Sequence, residues 1–389
     1  MKVAIVGAGI AGLLPAYYLA KQDIEIDIYE EERYAGMKCS YANGGQLSVS
    51  NSEVWTNWNT VIKATKWLFN KNAPFYLGKN LDIDKIKWLI KFLQSTSKQD
   101  SNTRTIETIK LGLEARLLYK QIVEDEGIEF DYSQRGILHF YKDPEYFQHA
   151  KDMHELYESN GCEWRILNST QVYDIDPKLE KIDGIIGGVL TSDDAMGDIH
   201  KFCVNLASVL KTKYGVNFSY DRKIESVGQL ATYDQIVIAA GVGSVKLAKS
   251  AGIDLPIYPV KGYSITINAD QSELPSVSLL DDQAKIVTST LGNRFRIAGT
   301  AELSGENYDI SRHRILPLLD WVKTNFPKIS TETYSSWACL RPMTPTMMPI
   351  VGRIGGGQSN IVFHTGHGHL GWTISPATSL RVCETILNR

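Results

Sequence analysis

Gly7-Ala8-Gly9-Ile10-Ala11-Gly12 is the densest chemical signal in the chain. At that spacing Gly7 permits a tight turn, Gly9 lets the backbone approach a pyrophosphate, and Gly12 lets the following helix pack closely on its strand. Glu30 lies 18 residues after Gly12, where a carboxylate can accept hydrogen bonds from an adenosine ribose, with Glu31 beside it. That acid suits NAD and FAD equally. His367 and His369 sit two apart in Thr365-Gly366-His367-Gly368-His369-Leu370-Gly371-Trp372. They lack a third partner at recognisable spacing, so no metal site is expected. Cys39, Cys162, Cys203, Cys339 and Cys383 are odd in number and form no CxxC pair; they read as free thiols of a reducing cytosol. No Ser-His-Asp or paired-carboxylate pattern stands out.

The elements that must position these residues follow from periodicity. Residues 2–6 are a short apolar run that reads as a buried strand, 13–21 as a helix and 24–29 as a second strand. This is the strand-turn-helix context that the glycines require, with the helix N-terminus facing an anion. Pro15 falls inside that helix, where a kink is expected. Residues 1–14 superficially resemble a secretory leader, but their glycines suit a structural turn better. Residues 54–94 read as mostly helical, 105–126 and 144–160 as helices, and 136–141 as a strand. Residues 198–214 form a helix entering a strand at 216–220, and 255–300 alternate as in an antiparallel sheet with one covered face. Residues 233–241 form a strand ending in Ala240 and Gly241, of the kind that closes over the adenine half of FAD. A strand at 360–364 leads through the histidine loop into a helix over 373–386, whose N-terminus can face a flavin oxygen.

The chain has 389 residues, 43% of them hydrophobic and 22% charged. That suits about two or three domains with a substantial core, and excludes wholesale disorder. Lys plus Arg is 41 against 44 Asp plus Glu, a formal charge of −3, so a nucleic-acid partner is not expected. No apolar run reaches spanning length.

Several stretches carry a specific resemblance. They are Ser40-Tyr41-Ala42-Asn43-Gly44-Gly45-Gln46, Ile62-Lys63-Ala64-Thr65-Lys66-Trp67, Tyr258-Pro259-Val260-Lys261-Gly262-Tyr263-Ser264, Leu340-Arg341-Pro342-Met343-Thr344-Pro345, and the histidine loop through Thr373. With these the chain resembles the D-amino-acid dehydrogenase family, within the D-amino-acid oxidase and glycine oxidase superfamily. The resemblance implies an α/β fold: a Rossmann-like FAD domain (1–53, 197–252, 345–389) and a mainly antiparallel α+β substrate domain (54–196, 253–344), both discontinuous. It implies FAD, oxidation of a D-amino acid's amine to an imine by hydride transfer to flavin N5, hydrolysis to a 2-oxo acid and ammonia, and a quinone-type acceptor. The alternatives are a glycine, sarcosine or cyclic imino-acid oxidase using oxygen, or a flavin-holding subunit of a heteromeric dehydrogenase. Expected FAD contacts are Gly7, Gly9, Ile10, Ala11, Gly12, Glu30, Glu31, Asn43, Gly44, Gly45, Gln46, Ile224, Ala240, Gly241, Gly366, His367, Gly368, Leu370, Gly371, Trp372 and Thr373. Gly44, Gly45 and Gln46 are expected to let the backbone approach the isoalloxazine ring.

That chemistry needs a held carboxylate, and a guanidinium's planar fork holds one with two parallel hydrogen bonds. Arg341 is the candidate, at the position where the superfamily resemblance places its carboxylate-binding arginine; a surface ion pair is the competing reading. No base is needed if the amine enters neutral. His369 and Tyr263 are candidate substrate contacts, against an ordinary loop histidine and a sheet tyrosine. Cys339 stands where the related sarcosine oxidases link flavin, against an inert thiol filling space. Residues 61–98 carry eight lysines (Lys63, Lys66, Lys71, Lys79, Lys85, Lys87, Lys91, Lys98) against Asp82 and Asp84. Trp67, Leu68, Phe69, Trp88, Leu89, Ile90, Phe92 and Leu93 interleave with them, as in a helix lying on anionic lipid. A cytoplasmic protein attached peripherally to the inner membrane face is expected, with the competing reading that these aromatics pack inward.

Overall fold

A computed structural model describes residues 1–58, 61–62, 74–78, 82–354 and 360–388. The first strand, Lys2–Val6, is buried on both faces, with Val3, Ala4 and Ile5 fully enclosed. It pairs in parallel with Glu25–Tyr29 on one side and Gln235–Ile238 on the other. The sheet runs Ile350–Gly352, Ile361–Thr365, Gln235–Ile238, Lys2–Val6, Glu25–Tyr29, Asn217–Ser219, and only its first pair is antiparallel. Helices Ile10–Ala20, Ile199–Thr212 and Gly371–Leu387 cover one face, while a second cluster around Ile224, Leu247 and Leu255 covers the other. Two covered faces explain why the central strands Lys2–Val6, Gln235–Ile238 and Ile361–Thr365 are mostly apolar, whereas Glu25–Tyr29 toward the edge alternates.

A nine-stranded sheet supplies the second layer. Its main path runs Ser335–Met343, Tyr258–Asn268, Arg294–Leu303, Ile286–Leu291, Ser278–Asp281, Ile137–Tyr141, Gly187–Thr191, Arg165–Asn168, and it is antiparallel except between Ser278–Asp281 and Ile137–Tyr141. Helix Arg312–Asn325 closes one face over Ile265, Phe295 and Ile297. The other face is turned toward the first sheet's loops.

Several local expectations need correction. Within 54–94, Trp58, Val61 and Ile62 are helical, Phe75–Leu77 is a strand added in parallel beside Arg294–Leu303, and a further helix begins at Ile83, capped by Asp82. The intervening 63–73, including Lys63, Lys66, Lys71, Trp67, Leu68 and Phe69, lie outside the described residues, as does Lys79. The helix expected from 105 starts at Lys98, because the Ser97 hydroxyl accepts from Asp100 N and caps it. The helix expected over 144–160 is two, Pro144–Asp152 and His154–Glu158, interrupted at Met153.

Both interior prolines in the helices of the first layer leave a carbonyl without its helical donor. The carbonyl four residues before Pro15 is that of Ala11, and the His364 ring Nδ1 takes it at 2.5 Å. The one four before Pro376 is that of Trp372, and it accepts from the Tyr119 hydroxyl at 2.6 Å. Helix Ile10–Ala20 therefore continues through its proline, bonded to the neighbouring strand.

Candidate active site

One cavity of about 1610 Å³ runs between the glycine turn, the inner face of the nine-stranded sheet and the histidine loop. It exceeds the usual range for a small-molecule pocket, and can take a dinucleotide with a substrate beside it. The glycine turn fits a phosphate cradle. Gly7 has φ +108°, and a side-chain carbon there would meet the Ala239 carbonyl oxygen at 2.5 Å. At Gly12 such a carbon would lie 1.9 Å from the Gly7 carbonyl oxygen, so Gly12 shapes the turn without lining the cavity. Glu30 accepts from the backbone of Ala8 at 2.6 Å and of Glu32 at 2.9 Å. Burial pushes its carboxyl upward, and a carboxylate's remaining lone pairs are free for ribose hydroxyls. Glu31 is paired with Lys38.

Ile10, Ala11, Ile224, Ala240 and Gly241 line the same end of the cavity; at the other, Leu370, Gly371, Trp372 and Thr373 bring the first turn of the closing helix to its wall. No side chain caps that turn, so its amides are donors for an anion or a developing negative oxygen. Thr373 Oγ1 itself accepts from Ser48 N at 3.1 Å. Gly366 does not line the cavity; its φ of +77° turns the chain against Thr344.

The segment Asn43-Gly44-Gly45-Gln46 lies flat on the nine-stranded sheet. Ser289 Oγ donates to Gly44 O at 2.7 Å, Ser264 Oγ to Ala42 O at 2.7 Å and Arg296 Nη1 to Asn43 O at 3.1 Å. Gln46 Nε2 reaches Ser278 Oγ and Leu279 O. A side-chain carbon on Gly44 would stand 2.7 Å from Val287 Cγ2. Gly44 thus permits a close approach to the sheet, while all four residues also line the cavity.

Arg341 sits on strand Ser335–Met343, opposite Val260 in register. Alternation puts Arg341, Cys339, Gly262 and Ser264 on the cavity face. The guanidinium lies over Gly262, where a side-chain carbon would be 2.3 Å from Nη2, and Nη1 donates to Thr300 O at 3.1 Å. Among the described residues no carboxylate lies within ion-pair distance of it. Burial lowers its pKa from the ordinary value, so the charge stands to gain from a bound anion.

His369 lines the cavity and stacks on Trp55 with ring centroids 4.6 Å apart. Its Nε2 has no hydrogen-bond partner among the described residues, and burial with the nearby Arg341 charge lowers its pKa to about 3. The ring is therefore neutral. His367 and His364 meet at 3.2 Å between Nε2 atoms, and Thr378 Oγ1 touches both. Burial holds both rings below the usual histidine range. Gly368 N donates to Pro342 O at 3.0 Å, docking the loop beside Arg341.

Tyr263 lines the same cavity as Arg341. It pairs in register with Ala338, on the strand face opposite Arg341, and its ring packs into the cluster under helix Arg312–Asn325. Its hydroxyl donates to Glu302 at 2.9 Å.

Two features escaped the sequence. His364 is legible only once Pro15 is seen to free a carbonyl. Cys39, which looks isolated in the chain, donates to Leu340 O at 3.0 Å, beside Cys339 on the cavity wall. Among the described residues no three His, Cys, Asp or Glu side chains are grouped to hold a metal.

A glycine cradle, a parallel sheet and a long cavity closed by a second sheet define an FAD-dependent oxidoreductase. Residues 2–385 match the DAO family model, described as FAD dependent oxidoreductase, and the chain belongs to that family. It binds FAD. Its relatives include D-amino acid dehydrogenase 3 of Mesorhizobium japonicum, 42% identical over 99% of this chain and 97% of the relative, and D-amino acid dehydrogenase of Paramagnetospirillum magneticum, 36% identical over 100% and 96%. Among solved structures, glycine oxidase from Geobacillus kaustophilus superposes with a TM-score of 0.78 at 19% identity, covering 100% of this chain and 94% of that one. L-proline dehydrogenase from P. horikoshii gives 0.72 at 15%, covering 100% and 93%.

Proposed function

We propose that this protein is a D-amino-acid dehydrogenase, oxidising the substrate amine to an imine that water converts to a 2-oxo acid and ammonia. The observation that carries this reading is Arg341: a guanidinium on the cavity face without a carboxylate partner among the described residues, held by Thr300 O and given room by Gly262. The names of the relatives, at 42% and 36% identity, support the substrate class. Bound FAD supplies the hydride acceptor. Arg341 binds the substrate carboxylate through its free edge and so fixes where Cα stands. His369, neutral and stacked on Trp55, walls the cavity without adding a second positive charge beside the amine.

In this reading the first sheet, with residues 1–53, 197–252 and 345–389, is the cofactor domain, and 54–196 with 253–344 is the substrate domain. The electron acceptor is a quinone-type molecule reached at an anionic membrane surface. What supports that surface is helix Ile83–Gln94, whose Ile83, Ile86, Ile90 and Leu93 are exposed on one face and are flanked by exposed Lys87 and Lys91. The expected arrangement is corrected in part. Trp88 and Phe92 stack on each other and Trp88 Nε1 donates inward to Met343 O, while Lys85 is buried on Gly78 O.

Anaerobic bleaching of the bound flavin by a panel of D- and L-amino acids, glycine, sarcosine and D-proline tests the substrate class. Bleaching by D-amino acids, followed by faster reoxidation with a quinone analogue than with oxygen, is expected. Bleaching by glycine or sarcosine alone would replace the reading with that of an oxygen-using oxidase.

A further inference from the structure

Two thiols meet on the substrate wall of the cavity. Cys339 and Arg341 are two apart on one strand and share its cavity face, and Cys339 is register-paired with Gly262, over which the guanidinium lies. Cys39 comes from the short turn Lys38–Ser40 of the other layer. Its sulfur donates to the Leu340 carbonyl, the next residue after Cys339, at 3.0 Å. The Cys39 sulfur thus stands against the backbone of the residue next to Cys339, both thiols line the cavity, and neither is bridged. The other three cysteines are buried singly, and burial raises their thiols.

We propose that Cys39 and Cys339 form a dithiol that closes reversibly to a disulfide and thereby weakens carboxylate binding at Arg341. The switch rests on the dehydrogenase reading; the bridge does not. Cys339 is the attacking sulfur. The Cys39 thiol and the Arg341 charge both favour its thiolate, whereas Cys39 is held as the thiol;. With hydrogen peroxide as oxidant, the Cys339 thiolate takes one oxygen as the O–O bond breaks, giving a sulfenic acid and one water after protonation. Cys39 then attacks the Cys339 sulfur, forming the S–S bond and releasing the second water. Two thiols lose two electrons and two protons in total, and one peroxide gains them. The bridge removes the Cys39 hydrogen bond to Leu340 O and pins Cys339 to the Lys38–Ser40 turn. That draws on the strand that carries Arg341 over Gly262.

The test uses the FAD-loaded enzyme treated with excess hydrogen peroxide, read by intact mass, peptide mapping and D-alanine kinetics. A loss of about 2 Da, a Cys39–Cys339 cross-linked peptide and recovery with dithiothreitol are expected. The kcat/KM for D-alanine should fall by at least about tenfold, through KM, with the flavin spectrum retained. Cys39→Ser and Cys339→Ser should each abolish both the cross-link and the reversible loss. Absence of the cross-linked peptide in the wild type, or reversible inactivation that persists in both serine variants, would overturn the proposal. A wild type that forms the bridge but bleaches with no D-amino acid keeps the dithiol and refutes the assigned substrate instead.

Discussion

At the scale of single residues, the site depends on what Gly262 lacks. Its backbone is ordinary, so Gly262→Ala costs nothing in φ; the added carbon simply occupies the place of the Arg341 fork, 2.3 Å from Nη2. KM for a D-amino acid should rise by about tenfold or more with FAD retained, as for a displaced bidentate contact. Arg341→Leu should do more, lowering kcat/KM by roughly a hundredfold or more because the carboxylate then enters unpaired. Steady-state kinetics on the two variants checks both, and an unchanged KM in Arg341→Leu would remove the assignment. The histidines set a pH limit. His139 and His364 are held to about 4 and His369 to about 3 by burial, against 6.5 ordinarily. The unfolded chain therefore takes up protons below pH 6.5 that the folded one refuses. Stability is full above that value and is lost as pH falls toward 4, by up to about 1.4 kcal/mol per unit for each ring. Urea unfolding at pH 7.5 and 5 measures the slope; equal midpoints would contradict it.

Elements are joined here by the carbonyls that prolines release. Tyr119 ties the long helix Lys98–Glu126 to the closing helix Gly371–Leu387 through the Trp372 carbonyl that Pro376 leaves without a donor. Packing of Leu111 and Ala115 against Ile374 and Ala377 runs beside it. Tyr119→Phe should cost about 1–2 kcal/mol, the penalty of a buried unsatisfied acceptor. In a Pro376→Ala background, where the helix regains its own donor, the same change should cost less. A double-mutant cycle in urea measures the coupling, and strictly additive losses would argue against the pairing. Asp194 does similar work elsewhere. It is fully buried, accepts from Val49 N and Ser50 N at 2.9 Å each, and is paired with Arg116 at 2.7 Å, so it anchors the loop leading to Trp55.

For the whole molecule, charge and apolar surface are concentrated together. Residues 61–98 hold eight lysines against two aspartates in a chain of net charge −3. Their described helix turns four large aliphatic side chains outward. No described helix is long and apolar enough to cross a membrane, and the attachment proposed through this helix is interfacial. The protein should sediment with vesicles containing anionic lipid at low salt and be released by salt. Ile86→Glu with Ile90→Glu should abolish sedimentation and leave flavin bleaching intact. Equal recovery with neutral and anionic vesicles would count against the charge contribution.

Local chemistry was legible from the residues because it depends on neighbours in the chain. The glycine turn, its flanking strands and the terminal acid are one contiguous unit, and the sheet places them together. Resemblance supplied Arg341, with Tyr263 offered beside it; the register of strand Tyr258–Asn268 against Ser335–Met343 is what sets the two side chains on opposite faces. What only the tertiary structure decided are matters of contact between distant segments. Gly44 serves the sheet because Val287 lies above it, and His364 matters because Pro15 freed a carbonyl across a layer boundary. The inward turn of Trp88 depends on Met343 offering an acceptor beneath it. Cys39 and Cys339 belong to different layers and become a pair only when the two sheets close on one cavity. Periodicity records which face of an element is apolar; it carries no information about which remote segment will come to cover that face.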